Sequence, residues 1–208
     1  MSVQHPILIP ALYTFAGLSI YATIVHLIVL CQGRSSKLLH GLFGGVTAML
    51  TLFIIFHSLA LTAADISTFA FGLRGSLATG YLGITILLWF ITVFAQKQFS
   101  PILVVLSALM LFFSGLNWLS PFSVQFGEIQ TLTTLVLPWG ETVTRGVGSP
   151  SPYLLLGVIS IVGSCSYILW AWHTSPPCYG RRAMILATYL YFFIVTGKHR
   201  CDCSATGD

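Results

Sequence analysis

Long stretches without a charged side chain alternate with short polar segments along this chain. Five stretches of about 20 residues contain no Asp, Glu, Lys or Arg, and they cover residues 7–30, 38–61, 76–95, 101–119 and 153–172. A helix of about 20 apolar residues crosses the hydrocarbon layer, because it satisfies its backbone hydrogen bonds internally where lipid offers no partners. The pattern therefore predicts five membrane-spanning helices in an all-α, polytopic bundle.

The chain after the fifth stretch is harder to interpret. A sixth charge-free run, residues 183–196, has only about 14 residues and is a marginal span. Residues 197–208 turn polar and show no apolar face, so we expect a disordered tail there. Residues 1–196 are expected to form one transmembrane domain.

One connection is much longer than the others. Residues 120–152 lie between the fourth and fifth helices and contain four prolines and four glycines. Phe122, Phe126 and Trp139 give this loop too much apolar surface for a solvated linker, so we expect it to fold back on the helix ends. Its pattern is compatible with a short strand or hairpin and equally with a surface helix.

The composition indicates that lipid, and not water, surrounds most of the chain. Hydrophobic residues make up 56% of the chain and charged residues 7%, which is too little charge to cover a water-soluble globule. We therefore expect the lipid bilayer as the main partner. The nine Lys and Arg residues form no basic stripe, so a nucleic-acid partner is not expected.

The positive charges predict an orientation. Five of them follow the first, third and fifth helices, at Arg34, Lys37, Lys97, Arg181 and Arg182. Arg74 and Arg145 fall in the connections on the other side. Lys198 and Arg200 also lie outside if the sixth run crosses, and inside if it does not. Because cytoplasmic loops collect Lys and Arg, the amino terminus is predicted to lie outside.

Glycine and other small residues predict where helices approach each other. They occur in the second helix at Gly41, Gly44 and Gly45, and in the fifth at Gly157, Ser160, Gly163 and Ser164. Small side chains allow close helix contact in lipid, and packing within the chain is a simpler interpretation than dimerisation.

The histidines and cysteines give weak signals for a cofactor. A b-type haem carrier needs a histidine pair from different helices at each level. His26, His40 and His173 share the inner level, but the outer level offers His57 with only His5. Cys201 and Cys203 cannot close a tetrahedral metal site without further ligands. We expect no cofactor and no metal.

No catalytic motif appears in the sequence. Paired carboxylates, a Ser/His/Asp arrangement and a glycine-rich phosphate loop are not recognised. The long stretches also carry no mid-membrane charge of the kind that marks many transporters. The chain is therefore not expected to be an enzyme.

A candidate ligand site lies at the predicted outer face. Aromatic walls with a few polar groups suit a small-ligand pocket. The residues that could supply them near the mouth of the bundle are Asn117, Trp118, Glu128, Trp139, Glu141 and Arg145. The alternative is that Glu128 and Glu141 are solvated loop charges and Trp139 is an interfacial anchor.

Two segments of the long loop carry a family resemblance. The run Leu116-Asn-Trp-Leu-Ser-Pro-Phe-Ser-Val-Gln-Phe-Gly-Glu128, followed by Leu137-Pro-Trp-Gly-Glu141, resembles the outer loop of seven-helix sensor regions at the amino ends of bacterial signalling proteins. The resemblance implies a bacterial inner membrane protein with its amino terminus outside. It also implies a ligand-facing outer loop and signal transmission to a histidine kinase or diguanylate cyclase module.

The end of the chain departs from this pattern. No seventh helix and no output module follow the sixth run, as in a truncated copy. The expected function is a sensory input module, or a fragment of one, that would need a kinase or cyclase module on another chain. A small transporter or channel subunit is the main alternative, and a b-type haem electron carrier is a weaker one.

Overall fold

The computed structural model describes residues 7–32 and 37–174. In chain order the described elements are α1 (Leu8–Cys31), α2 (Lys37–Leu61), α3 (Ile66–Phe94), α4 (Pro101–Leu119), β1 (Phe126–Val136), β2 (Thr142–Pro150) and α5 (Leu154–His173). All five helices are long and apolar enough to cross a membrane, which confirms the multi-pass helical prediction. The predicted sixth span, residues 183–196, and the tail, residues 197–208, lie outside the described residues.

Helix α3 begins ten residues before the predicted span, at residue 66 instead of 76. The Asp65 carboxylate caps the helix by accepting the Thr68 backbone N–H at 2.8 Å. Arg74 lies just before the charge-free stretch, but it does not interrupt the helix, because arginine is a good helix former. At 29 residues, α3 is about 44 Å long and exceeds the hydrocarbon thickness of about 30 Å. Its first turns therefore extend beyond the part that the sequence marked as a span.

Helix α3 is also the centre of the bundle. It is the most buried helix, and its second half packs with α4 and α5 in one cluster that includes Leu88, Ile91, Met110 and Phe113. Helix α1 has the opposite character: it packs on α2, and most of its apolar surface is exposed. In a bilayer this exposed surface contacts lipid.

Close helix contacts occur at small residues within the chain, as predicted. A Cβ atom on Gly44 would meet the Cβ of His26 at 3.6 Å, and one on Gly45 would meet Ile86 at 3.3 Å. A close approach to a helix backbone was not predicted. A Cβ on Gly72 would lie 2.7 Å from the Ala60 backbone nitrogen, so only glycine allows α3 to approach α2 there.

The long connection forms an antiparallel hairpin of β1 and β2, which decides between the alternatives left by the sequence. Glu128 pairs with Ser149 near its base, and Val136 pairs with Thr142 near its tip. We call the end of the bundle that carries this hairpin the hairpin end. At the opposite end, the Lys97 ammonium group donates to the Thr174 carbonyl at 2.7 Å, which joins the α3–α4 connection to the end of α5.

Candidate functional site

The hairpin lies across the helix ends with an apolar face inward. Ile129 is buried in a cluster with Phe69, Ala70 and Leu73 of α3, and Leu132 packs at its edge. A Cβ atom on Gly146 would lie 2.6 Å from the Phe69 ring, so β2 can approach α3 only through a glycine. The hairpin is therefore packed against the bundle.

The connection between α2 and α3 provides a second attachment. The Thr144 hydroxyl, on β2, donates a hydrogen bond of 2.8 Å to the Ala63 carbonyl. Ala63 itself is buried in the same apolar cluster as Ile129. This bond fixes the middle of the hairpin to the turn between two spans.

The tip of the hairpin is attached to the first helix through Glu141. Its carboxylate accepts the backbone N–H groups of Ile7 at 3.0 Å, Leu8 at 2.7 Å and Ile9 at 3.2 Å. The Trp139 indole N–H donates to the same carboxylate at 2.9 Å. We call these five residues the α1 clasp.

The α1 clasp supplies a cap that α1 lacks in its own sequence. The first turn of a helix leaves backbone N–H groups without intrahelical acceptors, and these groups attract a negative charge. Ile7 occupies the N-cap position and has no side chain that could accept them. A carboxylate more than 130 residues away performs this role, which couples the hairpin to α1 directly.

Hydrogen bonding controls the charge of Glu141. Burial of this side chain, which is 9% exposed, acts to raise its pKa. Hydrogen bonds from the Trp139 indole and from the backbone of Leu8, Ile9 and Ile7 outweigh burial and lower the pKa to about 2. The clasp is therefore formed by an ionised carboxylate at neutral pH.

Asn117 anchors the base of the hairpin. Its side chain is 0% exposed, and its amide group donates to the Phe113 carbonyl at 2.9 Å. Its carbonyl oxygen accepts the Val124 backbone N–H at 3.0 Å. Between them, Ser123 has a φ of 105°, a conformation that few residues other than glycine adopt. Asn117 thus holds the strained turn that leads from α4 into β1.

Trp118 is the neighbouring predicted residue and faces a different direction. It is 46% exposed and its ring contacts those of Phe56 and Phe71, at centroid distances of 6.3 and 6.1 Å. These contacts join α4 to α2 and α3 at the hairpin end.

The other two predicted residues lie on the exposed side of the hairpin. Glu128 precedes the buried Ile129 and points to the opposite face, as successive residues of a strand do. Arg145 is exposed in the middle of β2, opposite Thr133.

The hairpin separates the six predicted residues into distinct groups. Glu128 pairs with Ser149, which lies eight residues along the chain from Glu141. At the rise of a strand, roughly 25 Å therefore separates the two glutamates. Among these residues, the structure joins Trp139 with Glu141 at the tip and places Asn117 and Trp118 together at the end of α4. Whether any of them binds a ligand stays a prediction.

Two features of the site were missed by sequence reasoning. No local pattern could identify the first turn of α1 as the partner of Glu141, because the two segments are so far apart in the chain. Arg74 was assigned to a connection, whereas it lies inside α3 with its Nε atom buried and without a hydrogen-bond partner among the described residues. The capping residue Asp65 could have signalled the earlier helix start.

Histidines meet at the end of the bundle opposite the hairpin. The Nδ1 atoms of His26 and His40 lie 3.0 Å apart, at hydrogen-bond distance, and the His26 ring also contacts Phe43. His57 stacks on Phe53 nearer the hairpin end. Within residues 7–32 and 37–174, no group of three or more His, Cys, Asp or Glu side chains could hold a metal ion.

Comparison of the chain with protein families, curated proteins and solved structures finds no match.

Proposed function

We propose that this integral membrane protein is a sensory input region, in which the hairpin receives a cue and passes it to the helix bundle. The observation that carries this proposal is the α1 clasp, because it joins the hairpin to a helix from the other end of the chain. The resemblance of the two loop segments to bacterial sensor regions supports the same function.

The attachments of the hairpin suit such a role. It continues directly from α4 and into α5, packs on α3, bonds to the α2–α3 connection and caps α1. A cue that moves the hairpin would thus act on all five described helices at one end. A cue changes a protein only by stabilising one of its conformations over another, and these contacts differ between a docked and a displaced hairpin.

The proposed orientation follows from the charges of the loops. The amino terminus and the hairpin would lie outside the bacterial inner membrane, with the Lys97 end in the cytoplasm. A single cysteine placed at Thr142, on the exposed strand end, would test this in a background whose native cysteines are replaced. Labelling of intact cells by a membrane-impermeant maleimide supports this orientation, and labelling only after cell lysis contradicts it.

The proposed output is a histidine kinase or diguanylate cyclase module on another chain. Movement at the Lys97 end is the signal that such a module would detect. The decisive question is therefore whether a change at the hairpin alters the other end of the bundle.

Spin labels at Gln32 and Gln98 report on that far end, since both positions are exposed and follow α1 and α3. The distance between them is measured in lipid nanodiscs for the wild type, Glu141→Ala and the control Glu128→Ala. We expect Glu141→Ala alone to shift or broaden the distance by about 2 Å, the size of helix displacements in switching proteins. Identical distance distributions in all three proteins would argue against transmission. Solute counterflow in vesicles, lost in Glu141→Ala, would instead favour a transporter.

A further inference from the structure

Arg74 is a cation in an otherwise apolar helix. It lies eight residues after the start of α3, or about 12 Å along the helix axis. An ionisable side chain on a membrane-spanning helix is costly where it enters the hydrocarbon, and it usually marks a functional contact.

The neighbours of Arg74 place it between the hairpin and α4. One turn toward the start of α3, Ala70 packs with Ile129 of β1. One turn in the other direction, the Ala78 carbonyl accepts the hydroxyl of Ser114 on α4 at 3.1 Å. Since α3 and α4 are antiparallel, Arg74 is level with Trp118, one turn beyond Ser114. The guanidinium thus lies at the hairpin end of the α3–α4 contact.

The three described carboxylates do not neutralise the guanidinium group of Arg74, because each has other partners or lies elsewhere. Asp65 accepts hydrogen bonds from Ser67 and Thr68, and Glu141 belongs to the α1 clasp. Glu128 is on the exposed face of β1. The Nε atom of Arg74 is buried and has no hydrogen-bond partner among the described residues. Buried donors in folded proteins nearly always have an acceptor, so an acceptor is expected at this position.

We propose that Arg74 binds an oxyanion, a phosphate or carboxylate group, at the hairpin end of the bundle. Arginine holds such groups through two parallel N–H bonds, and Nε with one terminal nitrogen forms one of the two forks that it can present. The group belongs to a soluble ligand or to a lipid headgroup, because α3 is long enough to hold Arg74 near the membrane boundary. This inference goes beyond the proposed function, since the anion would bind whether or not the hairpin transmits a signal.

The first experiment uses soluble probes. The full chain is delipidated in dodecyl maltoside, which carries no phosphate, and its thermal midpoint is measured with inorganic phosphate or acetate against chloride at equal ionic strength. A ligand that binds the folded state raises the midpoint. The second experiment measures retention of phosphatidylglycerol against uncharged diacylglycerol by native mass spectrometry. A response in the first identifies a soluble oxyanion, and one only in the second identifies a lipid phosphate.

Variants of Arg74 test whether this residue binds the probe. We expect Arg74→Gln to weaken binding of the responding probe at least tenfold. Lys37→Gln removes an exposed cation at the opposite end of the bundle and should leave this binding unchanged. Arg74→Lys keeps the charge but loses the fork, so we expect weaker binding than in the wild type. It also provides the comparison if Arg74→Gln does not fold. Equal probe binding by the wild type and the Arg74 variants, or no binding of any probe to the wild type, would overturn the proposal.

Discussion

Replacement of Glu141 by alanine removes the only side-chain cap that the structure gives α1 among the described residues. The carboxylate accepts three backbone N–H groups at 2.7–3.2 Å and the Trp139 indole at 2.9 Å. Loss of a helix cap costs about 0.5–2 kcal/mol. Loss of a hydrogen bond to a charged group costs about 1.5–3 kcal/mol. Because water can reach the first turn and replace part of this, we expect α1 to lose about 2–4 kcal/mol of local stability.

Amide hydrogen exchange at the start of α1 measures this loss directly. Each 1.4 kcal/mol changes an opening equilibrium about tenfold, so the exchange of Leu8 and Ile9 should accelerate about 30- to 700-fold in Glu141→Ala. Glu128→Ala is the matched control, because this glutamate lies exposed on the same hairpin. An acceleration below about threefold would refute the reasoning, since it would mean that water replaces the carboxylate at almost no cost.

Three further outcomes follow from single contacts. Gly72→Ala should destabilise the chain by about 1–3 kcal/mol in thermal unfolding, because its Cβ would overlap the α2 backbone. Gly115→Ala is the control, since open space surrounds this glycine and its replacement should leave stability unchanged. Equal unfolding midpoints for the two variants would contradict the close crossing at Gly72. The stabilisation from Glu141, whose pKa is lowered to about 2, should be complete above about pH 4.5 and disappear as the pH falls toward 2. The wild type and Glu141→Gln should thus differ in exchange at the start of α1 at pH 6 and converge at low pH, and a difference that persists there would exclude the titration. Tyr167→Phe removes a buried hydrogen bond of 3.1 Å to Thr92 and should lower stability by about 1 kcal/mol in thermal unfolding; a gain would show that this bond does not hold α5 to α3.

The spans could be predicted because lipid imposes a strict rule on the backbone. Any segment that crosses must satisfy its own hydrogen bonds, so about 20 apolar residues predict a helix without knowledge of its neighbours. The same rule fails where the helix leaves the lipid. The start of α3 depends on the Asp65 cap and tolerates Arg74, and neither feature depends on hydropathy.

The candidate site was only partly predictable for a related reason. Trp139 and Glu141 could be selected because of their residue types and because their segment resembles the outer loop of bacterial sensor regions. Their partner could not, since a carboxylate has no sequence signature for the distant backbone N–H groups that it binds. The hairpin was likewise one of two open alternatives, because Leu132 and Leu135 fit a helix as well as a strand. Its packing on Phe69 decides the outcome in the structure.

The contacts of α1 identify the helix that a moving hairpin would affect most. Its side surface is largely exposed, and its described polar contacts to other elements are few. The clasp holds its first turn, Thr23 bonds to Thr47 at 2.8 Å in the middle, and His26 bonds to His40 near its end. A helix with little buried surface depends strongly on such contacts for its position. Release of the carboxylate at Glu141 would leave Thr23 and His26 as its polar attachments to α2, so α1 could tilt or rotate about them. If the proposed sensory function holds, displacement of α1 is therefore the movement that we expect to link an event at the hairpin tip to the other side of the membrane.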